Sequence, residues 1–219
     1  FKGIIPEGTK VLDTNLENGI LTINFNKNFL NVSIKDEEKM LEALIYSILE
    51  IPGIKKLSIE VEGEKLKNLP NSKKKLPEFL DKNYGVNKIY NLDSIKDTSK
   101  TTIYYLSKHN DYYYYVPVTK VSNETGEKAE IIIKELKSTP IYHTNLISYL
   151  AASTNLTNYE LLENSISLSF DNHLLANLND EDMLEEVKYS IALSLRDSYG
   201  IEEVLFNYPD SDQEVMAFN

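Results

Sequence analysis

The chain of 219 residues contains no cysteine, which removes disulfides and thiolate metal sites from consideration. Its eight glycines are scattered, so it has no dinucleotide fingerprint, phosphate-binding loop or nucleophile elbow. Three histidines, His109, His143 and His173, lie far apart. None has a second ligand or acid at metal or triad spacing, and each reads as a surface histidine. No apolar run approaches the roughly 18 residues that a bilayer requires, and no signal peptide is visible. The chain opens on Phe1, not Met. It therefore reads as a fragment or processed product, with an export signal or lipid anchor belonging to whatever stands ahead of it.

What is present is a helix written twice. Glu38-x-Met40-Leu41-Glu42-x-x-x-Tyr46-Ser47-Ile48 recurs as Glu181-x-Met183-Leu184-Glu185-x-x-x-Tyr189-Ser190-Ile191, at a constant offset of 143 residues. The flanks repeat as well: Leu21-x-Ile23-x-Phe25 matches Ile166-x-Leu168-x-Phe170, and Gly53-Ile54 matches Gly200-Ile201. Internal repetition of this kind marks a building block stacked or paired with its own copy. The unit reads as copied for its core residues, with no polar constellation copied alongside, and so as a building block more than a catalyst.

The pattern predicts an α+β protein of two such repeats, each a small mixed or antiparallel sheet packed on helices. In the first repeat, residues 11–25 read as a hairpin about Asn18-Gly19. A helix follows, N-capped by Asp36, carrying Met40, Leu41, Leu44, Ile45, Ile48 and Leu49 at helical spacing and stopped by Pro52-Gly53. A strand is expected over 56–61. Residues 63–99 are polar and punctuated, yet Leu69, Leu76, Phe79 and Leu80 need somewhere to pack, so they form an ordered strap. The second repeat begins with a hairpin over 102–119, in which Pro117 marks an edge. A short helix on Ala129, Ile132, Ile133 and Leu136 follows, closed by Pro140. Then come a hairpin over 157–170, an Asn179-capped helix to Tyr199 and a strand over 203–207. The domains are accordingly 1–62, a linker 63–99, and 100–219. The first lacks the opening hairpin and helix of the second, so it is N-terminally incomplete, and self-association or disorder of 1–62 is expected.

Charge is uneven. Residues 1–100 carry 16 lysines against 15 acids, whereas residues 101–219 carry 7 basic against 19 acidic side chains. So acidic a second half repels phosphates and excludes nucleic acid as a partner. A basic protein surface is the better match, and Lys73, Lys74 and Lys75 offer one toward the acidic half of a neighbouring copy. The acidic run 179–182 reads as the start of a helix, where negative charge favours the dipole. Asp210-x-Asp212-x-Glu214 lacks the glycine and later glutamate of a calcium loop and reads as a solvated tail. Tyr112-Tyr113-Tyr114-Tyr115, facing Tyr104-Tyr105, is the one unusual surface candidate. Alternation places Tyr112 and Tyr114 on one face and Tyr113 and Tyr115 on the other, so at least one pair meets the core and an outward pair can bind glycan or protein; Tyr112, Tyr113 and Tyr114 are the candidate partner-binding residues.

Thr101-Thr102-Ile103-Tyr104-Tyr105, Tyr115-Val116-Pro117-Val118-Thr119-Lys120 and the linker Leu80-Asp81-Lys82-x-Tyr84-Gly85-Val86-Asn87-Lys88 resemble the GerM family of sporulation and germination lipoproteins, which are built from tandem GerMN domains. Ile5-Pro6-x-Gly8-Thr9-Lys10 is similar to the middle of the first such domain. The resemblance covers nearly the whole chain and implies compact units like ring-building domains, in an exported, lipid-anchored protein between the mother cell and forespore membranes. It implies protein partners in the channel complex, of the SpoIIIA and SpoIIQ type, with membrane contact only through the anchor. It attaches no catalytic residue, cofactor or metal. A non-catalytic assembly module is therefore the leading expectation, a peptidoglycan-binding module the second and a cell-wall hydrolase the third.

Overall fold

The computed structural model describes residues 3–110, 112–138, 145–171, 185–209 and 212–218. The chain divides into two compact units, Phe1–Asn87 and Lys88–Asn219. His143, His173, Pro140, the run 179–182 and Asp210 lie outside the described residues.

In the first unit, β1 (Val11–Glu17) and β2 (Ile20–Phe25) form the expected hairpin. Its two-residue loop has Asn18 at φ 52° and Gly19 at φ 76°, the positive pair that suits the right-handed twist of paired strands. Helix α1 (Glu37–Ile48) then carries the chain across to β3 (Lys56–Val61), which lies parallel to β2, and a short antiparallel β4 (Glu64–Lys65) completes the sheet β1-β2-β3-β4. Asp36 occupies the N-cap position, but its side chain does not cap the helix. It accepts from the Ser33 hydroxyl instead, at 2.9 Å, because Ser33 opens the tight turn that leads into α1. The helix stands without the cap because Met40, Leu41 and Ile45 are fully buried. Each contributes about 1.5–3 kcal/mol against about 1 kcal/mol for a cap.

Residues 66–87 fold onto this unit. Leu69, Leu76 and Leu80 enter its core, and Leu80 exchanges both backbone hydrogen bonds with Leu57 of β3 at 2.8 Å. Two carboxylates of α1 fasten the strap. Glu37, 2% exposed, accepts the amides of Asn71 at 2.7 Å and Ser72 at 3.0 Å. Glu42, 6% exposed, accepts that of Asn87 at 3.1 Å. Residues 88–99 belong to the second unit, where β5 (Ile89–Asn91) joins its sheet.

The second unit contains the same sheet again. Strands β9 (Leu156–Leu161) and β10 (Ser165–Phe170) form a hairpin, α3 (Glu185–Tyr199) crosses over, and β11 (Glu203–Asn207) lies parallel to β10. An antiparallel β12 (Glu214–Ala217) closes the order β12-β11-β10-β9. Glu214 thus lies in a paired strand, correcting the expectation of a solvated tail: Val215 and Met216 supply the alternation that pairs with Leu205 and Val204.

Ahead of this copy stands a second sheet, β5-β7-β6-β8. It comprises β6 (Ser99–His109), β7 (Tyr112–Ser122), β8 (Leu146–Ile147) and β5, with α2 (Lys128–Leu136) following β7. Pairing with β5 covers Lys120–Ser122 of β7. One core unites the unit: Ile103, Tyr105 and Val118 from this sheet, Ile132 and Leu136 from α2, Ile191 and Leu195 from α3, and Ile166, Leu168 and Phe206 from the repeated sheet.

The two crossover helices differ at their C-terminal ends. Ile191 and Gly200 stand four residues farther apart than Ile48 and Gly53, and α3 remains helical to Tyr199 where α1 stops at Ile48. The added turn carries Ser194 and Leu195, both fully buried.

Candidate partner-binding surfaces

The tyrosine run lies where β6 and β7 extend beyond the core. Tyr112, Tyr113 and Tyr114 are 68%, 41% and 38% exposed. They pair with His109, Lys108 and Ser107, whereas Tyr104 and Tyr105 face Pro117 and Val116 farther along the hairpin. The expectation that one pair of the run meets the core is thereby corrected: the hairpin outreaches its packing, so both faces of the strand are open at its end. Tyr113 has its hydroxyl 3.5 Å from that of Tyr149 and the Lys108 ammonium 5.5 Å from its ring centre.

Tyr115 leans on Tyr189 of α3, with ring centres 5.6 Å apart. Burial, reinforced by Glu186, Glu185 and Tyr189, pushes its hydroxyl up to about 12. Tyr189 is itself 36% exposed and extends the aromatic surface onto a second element. Sequence reading placed Tyr189 in the repeated helix but gave it no surface role. The signal available was its match to Tyr46, which is half-buried beneath the strap in the first unit.

The three lysines of the triplet have different neighbours. Lys74 pairs with Glu38 of α1 at 2.9 Å, Lys73 turns its ammonium to the Pro70 carbonyl, and Lys75 bridges back to Asn68 through the backbone. Lys73 instead shares the rim of an open groove of about 640 Å³ with Lys27, Lys65 and Lys67. Val61, Leu66 and Leu69 lie beneath, and Glu62 and Glu64 are the acids of its wall. Glu62 accepts the backbone amide of Lys27 at 2.8 Å, and the Lys65 ammonium lies 4.7 Å from the Phe79 ring centre. These lysines escape a reading of runs because they come from separate segments.

Other ionisable side chains form a structural network. Lys120, on β7, meets Glu135 of α2 at 2.5 Å and Glu124 at 3.1 Å, and Glu124 also holds Lys134. The Lys134 contact, then that of Lys120, keeps Glu124 below the usual carboxylate range despite partial burial. Among the described residues, no group of three or more histidine, aspartate or glutamate side chains is placed to hold a metal ion. No described helix is long and apolar enough to cross a membrane.

Residues 1–67, which contain β1 to β4 and α1, match the Germane family model, described as sporulation and spore germination. Over 209 residues, 93% of its length, the chain is 23% identical to the spore germination protein GerM of Bacillus subtilis (strain 168), and it spans 57% of that protein's length. The solved tandem GerMN domains of the sporulation protein GerM from Bacillus subtilis align with a TM-score of 0.87 at 23% identity, covering 97% of this chain and 75% of that one. This chain has the tandem GerMN fold. The resemblance to GerM read from the sequence is borne out by all three comparisons. The strand-strand-helix-strand unit is common to both halves of this chain.

Proposed function

We propose that this protein is a non-catalytic assembly module of sporulation and germination, exported and anchored through a lipid outside the present chain. In this reading its two units dock protein partners between the mother cell and forespore membranes and support the channel complex that joins the two cells. The observation that carries it is the likeness over nearly the whole chain to the tandem domains of a sporulation protein. It is supported by surfaces of protein-contact character: an aromatic strip, a lysine groove and exposed strand edges. Crosslinking with mass spectrometry in sporulating cells tests it. Crosslinks from these surfaces to proteins of the SpoIIIA or SpoIIQ type are expected, and their absence when the protein is present and folded overturns the assignment.

A second reading is favoured by one observation, the exposure of three consecutive tyrosines with Tyr189 close to their continuation. Aromatic faces with hydroxyl tips suit glycan stacking, so the strip is a candidate peptidoglycan contact. Co-sedimentation with purified sacculi decides it: binding lost on replacing Tyr112, Tyr113 and Tyr114 by alanine supports wall recognition, and unchanged binding removes the strip from it.

A further inference from the structure

The tip of the β9–β10 hairpin is the chemical complement of the lysine groove. Leu161 and Leu162 are 52% and 45% exposed at the turn, and the exposed carboxylates of Glu160 and Glu163 flank them. The turn is well held. The Leu162 amide donates to the Ser165 carbonyl at 2.8 Å, and the Asn164 carbonyl accepts the amides of Glu202 at 2.8 Å and Glu203 at 3.2 Å. Those bonds bring two more exposed glutamates beside the tip. The two exposed leucines are the apolar knob of the tip, and the four exposed glutamates near them in the fold are its acidic collar. The groove presents the reverse, an apolar floor including Val61 and Leu66 within a rim where four lysines outnumber the two acids, Glu62 and Glu64.

Charge divides the same way between the units. Residues 1–87 hold 13 basic and 13 acidic side chains, and residues 88–219 hold 10 against 21. Contact between the lysine rim of one copy and the acidic collar of another therefore joins surfaces of opposite sign, whereas two collars repel each other.

We propose that the β9–β10 tip of one copy seats in the lysine groove of a second copy, with Leu161 and Leu162 on the apolar floor and the surrounding glutamates against Lys27, Lys65, Lys67 and Lys73. The proposal rests on the assembly reading and specifies a surface that assembly uses. Removing the leucines from water supplies the drive, and the charges set orientation and rate. Because knob and groove are different surfaces, the contact is heterologous. Each pairing leaves one knob and one groove unfilled, so copies add head to tail into a ring or an open chain.

The test is a charge swap in the full chain, read by sedimentation velocity. For the wild type, the weight-average sedimentation coefficient rises with concentration at low salt and returns to the monomer value as salt is added. Lys67→Glu/Lys73→Glu places acid against acid, Glu160→Lys/Glu163→Lys places base against base, and each variant alone stays monomeric. Mixing them restores association, because the groove of the second accepts the tip of the first and the two altered surfaces also match. Circular dichroism melts coinciding with the wild type establish that both variants are folded. A wild type that stays monomeric at every concentration overturns the proposal, as does a mixture that fails to associate. Variants that associate as well as the wild type overturn this contact while leaving the assembly reading intact. The cellular crosslinks judge that reading separately.

Discussion

The buried hydroxyl of Ser194 accepts the backbone amide of Tyr104 at 2.9 Å and donates to the carbonyl of Ser190, one turn earlier in α3, at 2.6 Å. Strand β6 pairs with β8 only at Leu106 and Ser107, so at Tyr104 the helix side chain takes the place of a neighbouring strand. Ser194→Ala removes that acceptor from a half-buried amide, at a cost of about 1 kcal/mol. The second unit should melt a few degrees lower in calorimetry, since about 1 kcal/mol shifts a domain of this size by roughly 3–5 °C. Ser47→Ala, on the exposed face of α1, should stay within about 0.5 kcal/mol of the wild type.

Glu37 governs the strap. Burial favours its neutral form, but the side chain and amide of Ser72 and those of Asn71 hold it below its ordinary value of 4.5. Its contribution is therefore complete above that value and is lost as pH falls through the lower, folded one. Urea denaturation followed from pH 7 to about pH 3 should show stability falling with acid and a flatter profile for Glu37→Gln. Hydrogen exchange at the amides of Asn71 and Ser72 should quicken in the variant, and unchanged protection there would show that the clamp does not act.

Two ion pairs should behave differently. Lys120 and Glu135 have side chains 14% and 18% exposed, whereas Lys74 and Glu38 are 52% and 35% exposed. Double-mutant cycles should give a coupling of about 1.5–3 kcal/mol for the first pair and about 0.2–1 kcal/mol for the second. Equal couplings in physiological salt would contradict the role assigned to burial.

Tyr115 should titrate late. Burial and the nearby glutamates raise its hydroxyl to about 12, so folding favours the neutral phenol, and that contribution disappears as pH climbs from the ordinary phenol value of 10 through 12. Ultraviolet titration should contain a component near pH 12 that Tyr115→Phe removes, whereas Tyr112→Phe leaves it in place.

Much of the fold was legible because its strands announce themselves by alternation between turn formers. The expected strands at 56–61 and 203–207 coincide with β3 and β11, and the stripe of Ala129, Ile132, Ile133 and Leu136 marks α2. The strap was legible as ordered, from its leucines, but its attachment was not, because Glu37 and Glu42 hold backbone amides of residues 34 to 45 positions away. No periodicity encodes such a bond. The same limit applies to the surfaces. Adjacent lysines at 73–75 read as one patch, yet chain geometry sends each to a different neighbour and builds the groove from residues up to 46 positions apart. Exposure of the tyrosines was predicted for an alternating pair, whereas the length of the hairpin, a tertiary property, opens three consecutive positions.

The additional turn of α3 shows how a duplicated element can diverge without losing its frame. At 3.6 residues per turn, an insertion of four brings the helix back to within about 40° of its former orientation. The downstream glycine and parallel strand keep their alignment, while new side chains become available along the same buried stripe. Lengthening in whole turns is thus a route by which one copy gains a further contact to a strand, here from Ser194 to Tyr104, while the frame shared with its twin is kept. Insertions of two residues at that point, which rotate the stripe by roughly half a circle, should be absent from sequences that preserve both halves.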